Sequence, residues 1–174
     1  MITSDQLKAI MPYANHDRIE LFVLPLNNAM RDFEINTRLR IAGFLSQVAQ
    51  ESGSLVYVKE LASGKAYEGR VDLGNDKPGD GVKYAGKGLI QVTGKLNYTS
   101  CSKALAMDFV SKPELLELPE WAAKSAGWFW KTHGLNEISD TGDIKAITKR
   151  VNGGYTALNE RTIFYQKALS VING

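Results

Sequence analysis

Seven glycines lie between Ala62 and Gly88, while the segments on both sides carry apolar residues at helical spacing. A stretch so rich in glycine and charge is too polar to form a layer of the core. The sequence therefore predicts a mainly helical protein with a small β-rich insertion of loops and short strands, which would border a cleft. The chain has 174 residues, of which 44% are hydrophobic and 23% charged, as is typical of one globular domain.

Helical periodicity and capping residues predict three helices ahead of the insertion. The first is expected to begin at a cap on Ser4 and to end at Pro12, and the second to begin at Asn15. The third is expected over residues 36–50. Pro25 lies inside the second pattern and should kink that helix or divide it in two, because proline cannot donate the backbone hydrogen bond.

The residues from 55 onward predict two strands and then a return to helix. Residues 55–61 and 84–93 have the composition expected of strands. Four helices are then expected, over residues 97–105 and 120–132, from a cap at Thr141 or Asp143 to Asn152, and from a cap at Thr156 to Leu169.

The third predicted helix carries a carboxylate on its apolar face. Ile41, Phe44, Leu45 and Val48 recur at helical intervals, and Glu51 continues the series three residues after Val48. A carboxylate at such a position is either paired or has its pKa raised by desolvation. A raised pKa is what a general acid needs near neutral pH.

A second carboxylate, Glu60, follows nine positions later on the next element. Two carboxylates on elements that meet at a turn can face each other across a groove, as glycoside hydrolysis requires. Glu51 then suits the proton donor, and Glu60, beside Lys59 and a polar loop, suits the ionised partner. The spacing alone fits equally well a paired structural carboxylate at Glu51 and a surface residue at Glu60.

The remaining motifs do not predict a nucleotide-binding site, a metal site or a catalytic nucleophile. The segment 81–88 follows the phosphate-binding pattern G-x-x-x-x-G-K, but Gly88 stands where Ser or Thr should hold magnesium, and no apolar strand precedes it. His16 and His133 have no ligands at metal-binding spacing. Cys101, the only cysteine, is expected to be a buried small residue. We therefore expect no cofactor and no metal.

The charge pattern limits the partners. The net charge is +2 and no run of Lys or Arg occurs, so no nucleic-acid partner is expected. Residues 143–167 nevertheless hold five basic and two acidic side chains, which would suit an anionic polymer but is also common on a solvated helical face. No segment predicts membrane insertion or a signal peptide, and one cysteine permits no internal disulfide. The chain is then either made in a reducing cytoplasm or needs no disulfide, and we expect a monomer.

Several short motifs occur in an order that resembles a known family. They are residues 50–53 (QESG), 59–61 (KEL), 84–94 (YAGKGLIQVTG), 97–98 (NY), 151–154 (VNGG) and Arg161. In this order they resemble the family-nineteen chitinases and, more closely, their relatives among bacteriophage endolysins. The resemblance covers about residues 38–165, and residues 60–70 are particularly similar to the endolysin branch.

The resemblance implies a fold and a set of catalytic roles. The fold is mainly α (α+β), lysozyme-like, with two lobes around a substrate cleft. A single catalytic domain is expected over residues 1–174, with its smaller lobe around residues 55–95. Glu51 would be the general acid and Glu60 the general base, and Thr93 would help to hold the attacking water. The family inverts configuration, which requires carboxyl groups about 6.5–9.5 Å apart.

The resemblance also implies contacts to the glycan. Tyr84, Gln91 and Asn97 would bind the sugar chain, and Asn152 and Arg161 would line the cleft and orient the second carboxylate.

This chain departs from the plant chitinases, which have His before the first Glu where Gln50 stands, and Arg where Lys87 stands. It also has no room for their long loops. The sequence is therefore interpreted as an endolysin that cuts the β-1,4 glycan strands of peptidoglycan, held in the host bacterial cytoplasm until release to the cell wall. The alternatives are a chitinase with the same catalytic residues and a catalytically inert glycan-binding relative.

Overall fold

The computed structural model describes residues 1–173, and the helices in this part of the chain account for most of it. The α-helices are α1 (Ser4–Ile10), α2 (His16–Asp32), α3 (Arg38–Glu51), α4 (Asp80–Lys83), α5 (Lys95–Leu105), α6 (Pro119–Thr132), α7 (Leu135–Asp140), α8 (Ile144–Asn152) and α9 (Leu158–Val171). Short 3-10 helices cover Lys65–Tyr67, Val71–Leu73 and Pro113–Glu117. The prediction of a mainly helical protein is confirmed.

The helices begin close to the predicted caps, with two differences. Asn15 caps α2 as expected, but α1 is capped by Thr3, which forms a reciprocal capping box with Gln6. The carbonyl of Thr156 accepts a hydrogen bond from the side chain of Arg161, and α9 begins after Ala157 instead.

Pro25 does not divide α2, which runs unbroken from His16 to Asp32. The buried residues Phe22 and Leu26 lie on either side of the proline, and α2 packs along α6. Burial of this face stabilises the helix on both sides of the proline, although the proline removes one backbone hydrogen bond.

The main core is built around α3. Phe44, Leu45 and Val48 are fully buried, as the periodicity predicted, and α3 packs chiefly against α9. The ring of Trp130 on α6 meets the ring of Phe44 edge-on, with centroids 5.3 Å apart. The helix that ends at Glu51 is thus fixed on several sides.

A second, smaller core lies after the glycine-rich segment. Its buried members are Tyr84, Val92, Tyr98, Cys101, Phe109 and Leu116. Trp121 and Trp128 pack against this cluster, while Trp130 on the same helix belongs to the main core. Helix α6 therefore contributes to both clusters and joins the two parts of the molecule.

The β-rich character of the insertion is not confirmed. Within residues 1–173, the segments 55–61 and 84–93 form isolated antiparallel bridges, Lys59 with Lys87 and Lys87 with Val92, in place of the two predicted strands. Ser54 and Leu55 adopt left-handed backbone angles (φ 58° and 70°), so the chain enters this region through a turn and pairs only briefly. In residues 1–173 no helix is long and apolar enough to cross a membrane.

Candidate active site

Glu51 is the last residue of α3, where the chain leaves the helix. Its side chain is 26% exposed, and its Oε1 accepts a hydrogen bond from Nη2 of Arg161 at 2.6 Å. A carboxylate at a helix C-terminus is opposed by the helix dipole, and the guanidinium offsets that repulsion. Of the two alternatives that the periodicity left open, the structure shows the paired carboxylate.

Arg161 is 2% exposed and all three of its nitrogens donate hydrogen bonds. Besides Glu51, it binds the carbonyl of Thr156 at 3.0 Å and Oε1 of Gln47 at 2.5 Å. Gln47 in turn donates to Oγ1 of Thr148 at 3.4 Å. The network ties α3 to α8 and α9. Arg161 therefore holds the first carboxylate, and the expectation that it orients the second one is corrected.

Glu60 is held by a different set of donors. Its Oε1 accepts from the N–H of Gly86 at 2.8 Å and its Oε2 from the hydroxyl of Tyr67 at 3.0 Å. Burial and the hydrogen bond to Glu60 raise the pKa of Tyr67, so the phenol remains a donor. Both oxygens of Glu60 accept hydrogen bonds, which is how an ionised carboxylate is bound. No sequence pattern predicted this role for Tyr67.

Gly86 brings two further predicted residues close to Glu60. A Cβ atom placed on Gly86 would lie 2.6 Å from Oε1 of Gln91 and 3.1 Å from Oγ1 of Thr93. The side chains of Gln91 and Thr93 therefore pack directly over the peptide that binds Glu60. The absence of a side chain at residue 86 makes this approach possible.

Gln91 also lines a pocket of about 90 Å³ with Val92, Asn97, Trp128, Phe129 and His133. Asn97 donates to the carbonyl of Thr93 at 2.7 Å, which fixes its amide at the start of α5. The ring of His133 stacks on Phe129, with centroids 3.9 Å apart. Aromatic faces beside amide groups suit the apolar face and polar edge of a sugar ring. The sequence spacing excluded His133 as a metal ligand, and no pattern predicted its place in this pocket.

Tyr84 and Asn152 lie in contrasting surroundings. Tyr84 is 2% exposed, its hydroxyl donates to the carbonyl of Val110 at 3.2 Å, and its ring meets Tyr98 edge-on. The structure thus places Tyr84 in the smaller core. This corrects the expectation that Tyr84 binds the sugar chain. Asn152 is exposed at the end of α8, before the left-handed turn at Gly153.

The phosphate-loop resemblance has a structural explanation. The N–H groups of Gly79 and Gly81 donate to the carboxylate of Glu68 at 2.6 and 2.9 Å. An anion would have to displace this internal carboxylate. In residues 1–173 no group of three or more His, Cys, Asp or Glu side chains is placed to hold a metal ion.

Lys87, between Gly86 and Gly88, is a buried lysine. It is 8% exposed, and its backbone exchanges two hydrogen bonds with Val92. Burial lowers the pKa of Lys87, and the negative charges of Glu117 and Glu60 partly oppose that effect. Lys87 therefore places a buried positive charge next to Gly86, whose N–H group binds Glu60.

Comparison with known proteins places this geometry in a family. Residues 34–152, more than half of the chain, match the model of the glycoside hydrolase 19 family, described as chitinase class I. A family 19 domain-containing protein of Haemophilus influenzae is 35% identical over 114 residues, which is 66% of this chain and 55% of that protein. An endochitinase of Arabidopsis thaliana is 35% identical over 115 residues, or 66% of this chain and 39% of the relative. The chain thus spans about half or less of the length of these relatives.

Solved structures share the fold. Chitinase C from Streptomyces griseus has a TM-score of 0.77 and 21% identity, with 99% of this chain and 78% of that chain covered. A class IV chitinase from Zea mays has a TM-score of 0.75 and 21% identity over 99% of this chain and 94% of that one. These likenesses show the lysozyme-like architecture of the family 19 chitinases. With the match over residues 34–152, they establish that the chain belongs to glycoside hydrolase family 19.

Proposed function

We propose that the chain hydrolyses β-1,4 bonds between N-acetylated hexosamines, with Glu51 as the acid and Glu60 as the base. The observation that carries this proposal is the different binding of the two carboxylates. Among residues 1–173 only Oε1 of Glu51 accepts a hydrogen bond, so Oε2 is free to carry a proton to the leaving oxygen. Both oxygens of Glu60 accept hydrogen bonds, from Gly86 and Tyr67, which hold the carboxylate in place to act as the base.

The proposed reaction is a single displacement. Glu51 protonates the glycosidic oxygen as the bond to the anomeric carbon breaks. Glu60 takes a proton from a water molecule, and the hydroxyl of Thr93, which packs over Gly86, helps to hold that water. The water oxygen attacks the opposite face of the sugar, so that the anomeric configuration is inverted. Gln91, Asn97 and Asn152 are proposed to bind the glycan.

The proposed polymer is peptidoglycan. Residues 60–70 resemble those of bacteriophage endolysins, and within them Tyr67 binds Glu60. As an endolysin it would be held in the bacterial cytoplasm and would act on the wall after its release.

Chitin is the second candidate, because the Arabidopsis relative is named an endochitinase and the Streptomyces structure a chitinase. Both polymers present the same β-1,4 bond to the same two carboxylates. They differ in the peptide-bearing lactyl group on every second sugar of peptidoglycan.

Release of reducing ends from purified peptidoglycan and from soluble chitin oligosaccharides tests the proposal, with mass spectrometry of the products. The expected result is release of disaccharide units from peptidoglycan, and the reducing-end sugar identifies the bond that is cut. Turnover of chitin oligosaccharides without any product from walls would contradict the peptidoglycan assignment and support the chitinase. No product from either polymer would contradict the enzyme itself and support an inert binding protein.

A further inference from the structure

The exposed face of α8 carries positive charges without acidic partners. Lys145, Lys149 and Arg150 are all exposed, and we call these three residues the cationic face. Within residues 1–173 none of them forms an ion pair with a carboxylate. Asp143 lies at the start of the same helix, but its Oδ1 accepts hydrogen bonds from the N–H groups of Lys145 and Ala146. The charges of this face are therefore not neutralised by a carboxylate of the described residues.

Two of these charges are organised by one aromatic ring. The Nζ atoms of Lys145 and Lys149 lie 5.1 Å and 6.0 Å from the centroid of Tyr155, which is itself 47% exposed. The ring attracts both ammonium groups. An anionic group that approaches both lysines is attracted by each of the two positive charges.

The cationic face borders the candidate site. Asn152 follows Lys149 by three residues and Lys145 by seven, so the three share one side of α8. Arg150 donates to the carbonyl of His133 at 3.1 Å, and the ring of His133 lines the pocket that holds Gln91. A polymer bound along these contacts would pass beside the cationic face.

We infer that the cationic face binds the carboxylates of peptide stems that project from the glycan strand. This inference rests on the proposed function, because only a glycan with anionic branches offers such a group. Peptidoglycan stems carry free carboxylates, whereas chitin is uncharged. The cationic face thus favours the wall polymer over the neutral one, a distinction that Glu51 and Glu60 cannot make.

Binding to purified insoluble peptidoglycan, measured by co-sedimentation in a Glu51→Gln background, tests the inference. Lys145→Gln/Lys149→Gln should weaken binding about tenfold at low salt, since each exposed pair contributes a few-fold. The difference should vanish at about 0.5 M NaCl, where the screening length is only a few ångströms. The control Lys103→Gln/Lys112→Gln removes the same charge from exposed lysines elsewhere and should bind like the parent. Equal binding of the two double variants would overturn the inference.

Two treatments of the walls identify the anionic group. An amidase cuts the peptide stems from the glycan and leaves the lactyl carboxylates on it. These strands should bind the parent and Lys145→Gln/Lys149→Gln equally; a remaining difference would assign the cationic face to the lactyl groups and overturn the inference. Walls stripped of phosphate polymers should keep the full difference; its loss there would assign the cationic face to phosphate and overturn the inference. Release of reducing ends from the same walls by the unsubstituted chain reports on the proposed function separately. Cleavage without any effect of the lysines refutes only the cationic face.

Discussion

Arg161 and Glu51, which are 110 residues apart in the chain, meet through a hydrogen bond of 2.6 Å from Nη2 to Oε1. The contact joins the end of α3 to α9. It makes the position of the first carboxylate depend on a buried guanidinium whose other nitrogens bind Thr156 and Gln47. The proposed proton donor is thus fixed by a buried hydrogen-bond network that joins α3, α8 and α9.

Arg161→Leu should be strongly destabilising. It leaves Oε1 of Gln47 and the carbonyl of Thr156 without a donor and removes the partner of Glu51, and breaking a buried pair of this kind costs about 3 kcal/mol. Urea unfolding measures the loss. The control Arg31→Leu, which breaks an exposed pair with Asp32, should cost about 0.5 kcal/mol or less. Similar losses for the two variants would contradict the role of the network.

Tyr67→Phe should reduce the turnover number while the protein stays folded, because Glu60 loses one of its two donors. The cost in unfolding free energy is expected to be about 1 kcal/mol. Tyr13→Phe is the matched control, since that ring is 93% exposed. An unchanged turnover number in Tyr67→Phe would show that the phenol does not position the base.

The same substitution changes the response to alkali. The pKa of Tyr67 is raised in the folded protein, so the folded state holds this proton more tightly than the unfolded state. Its contribution to stability is complete below the ordinary tyrosine pKa of about 10 and is lost as the pH rises above that value. Stability curves of the wild type and Tyr67→Phe should therefore converge above about pH 10.

Gly86→Ala should impair catalysis with little effect on folding. The added methyl group meets the flexible end of Gln91 and the hydroxyl of Thr93, and both side chains can move aside. We expect a fall in turnover of about tenfold or more, since small displacements in a site are costly. In Gly154→Ala the new methyl would meet only Asn152, at 3.7 Å, so wild-type turnover is expected there.

Lys87→Met tests the buried lysine through the pH dependence of stability. The pKa of Lys87 is lowered in the folded protein, so the unfolded state binds this proton more tightly. The contribution of Lys87 to stability must then rise as the pH increases toward the ordinary lysine pKa of about 10.5. The wild type should gain stability relative to Lys87→Met over that interval in urea titrations. A constant difference between the two proteins would contradict the lowered pKa.

Local patterns predicted most of the helices but not how their ends are used. The apolar series from Phe44 to Val48 is a property of neighbouring residues, and the structure buries it as expected. The partner of Glu51 comes from a distant helix, so helical spacing allowed either pairing or desolvation. In the same way, no pattern linked Tyr67 to Glu60, because their contact depends on the loop between them.

The region around residues 84–93 shows why the predictions of a strand and of a sugar contact at Tyr84 were wrong. Loose alternation predicted a strand, but Lys87 bridges to Lys59 on one side and Val92 on the other without a continuing ladder. Alternation also does not tell a residue facing a cleft from one facing a core. The pattern therefore did not predict that Tyr84 is buried while Gln91 reaches the surface of the candidate site.

The central claim is that Glu51 and Glu60 act as acid and base. Its most direct test is the rate of reducing-end release by Glu51→Gln, which keeps the shape of the side chain and an oxygen for Arg161 to bind. We predict a loss of about 10²–10⁴-fold on whichever polymer the wild type cleaves. The protein should stay folded with a lower unfolding midpoint, because Arg161 loses its charged partner. Glu160→Gln makes the same charge change on an exposed residue of α9 and should keep full activity. A folded Glu51→Gln protein that cleaves at the wild-type rate would contradict the account.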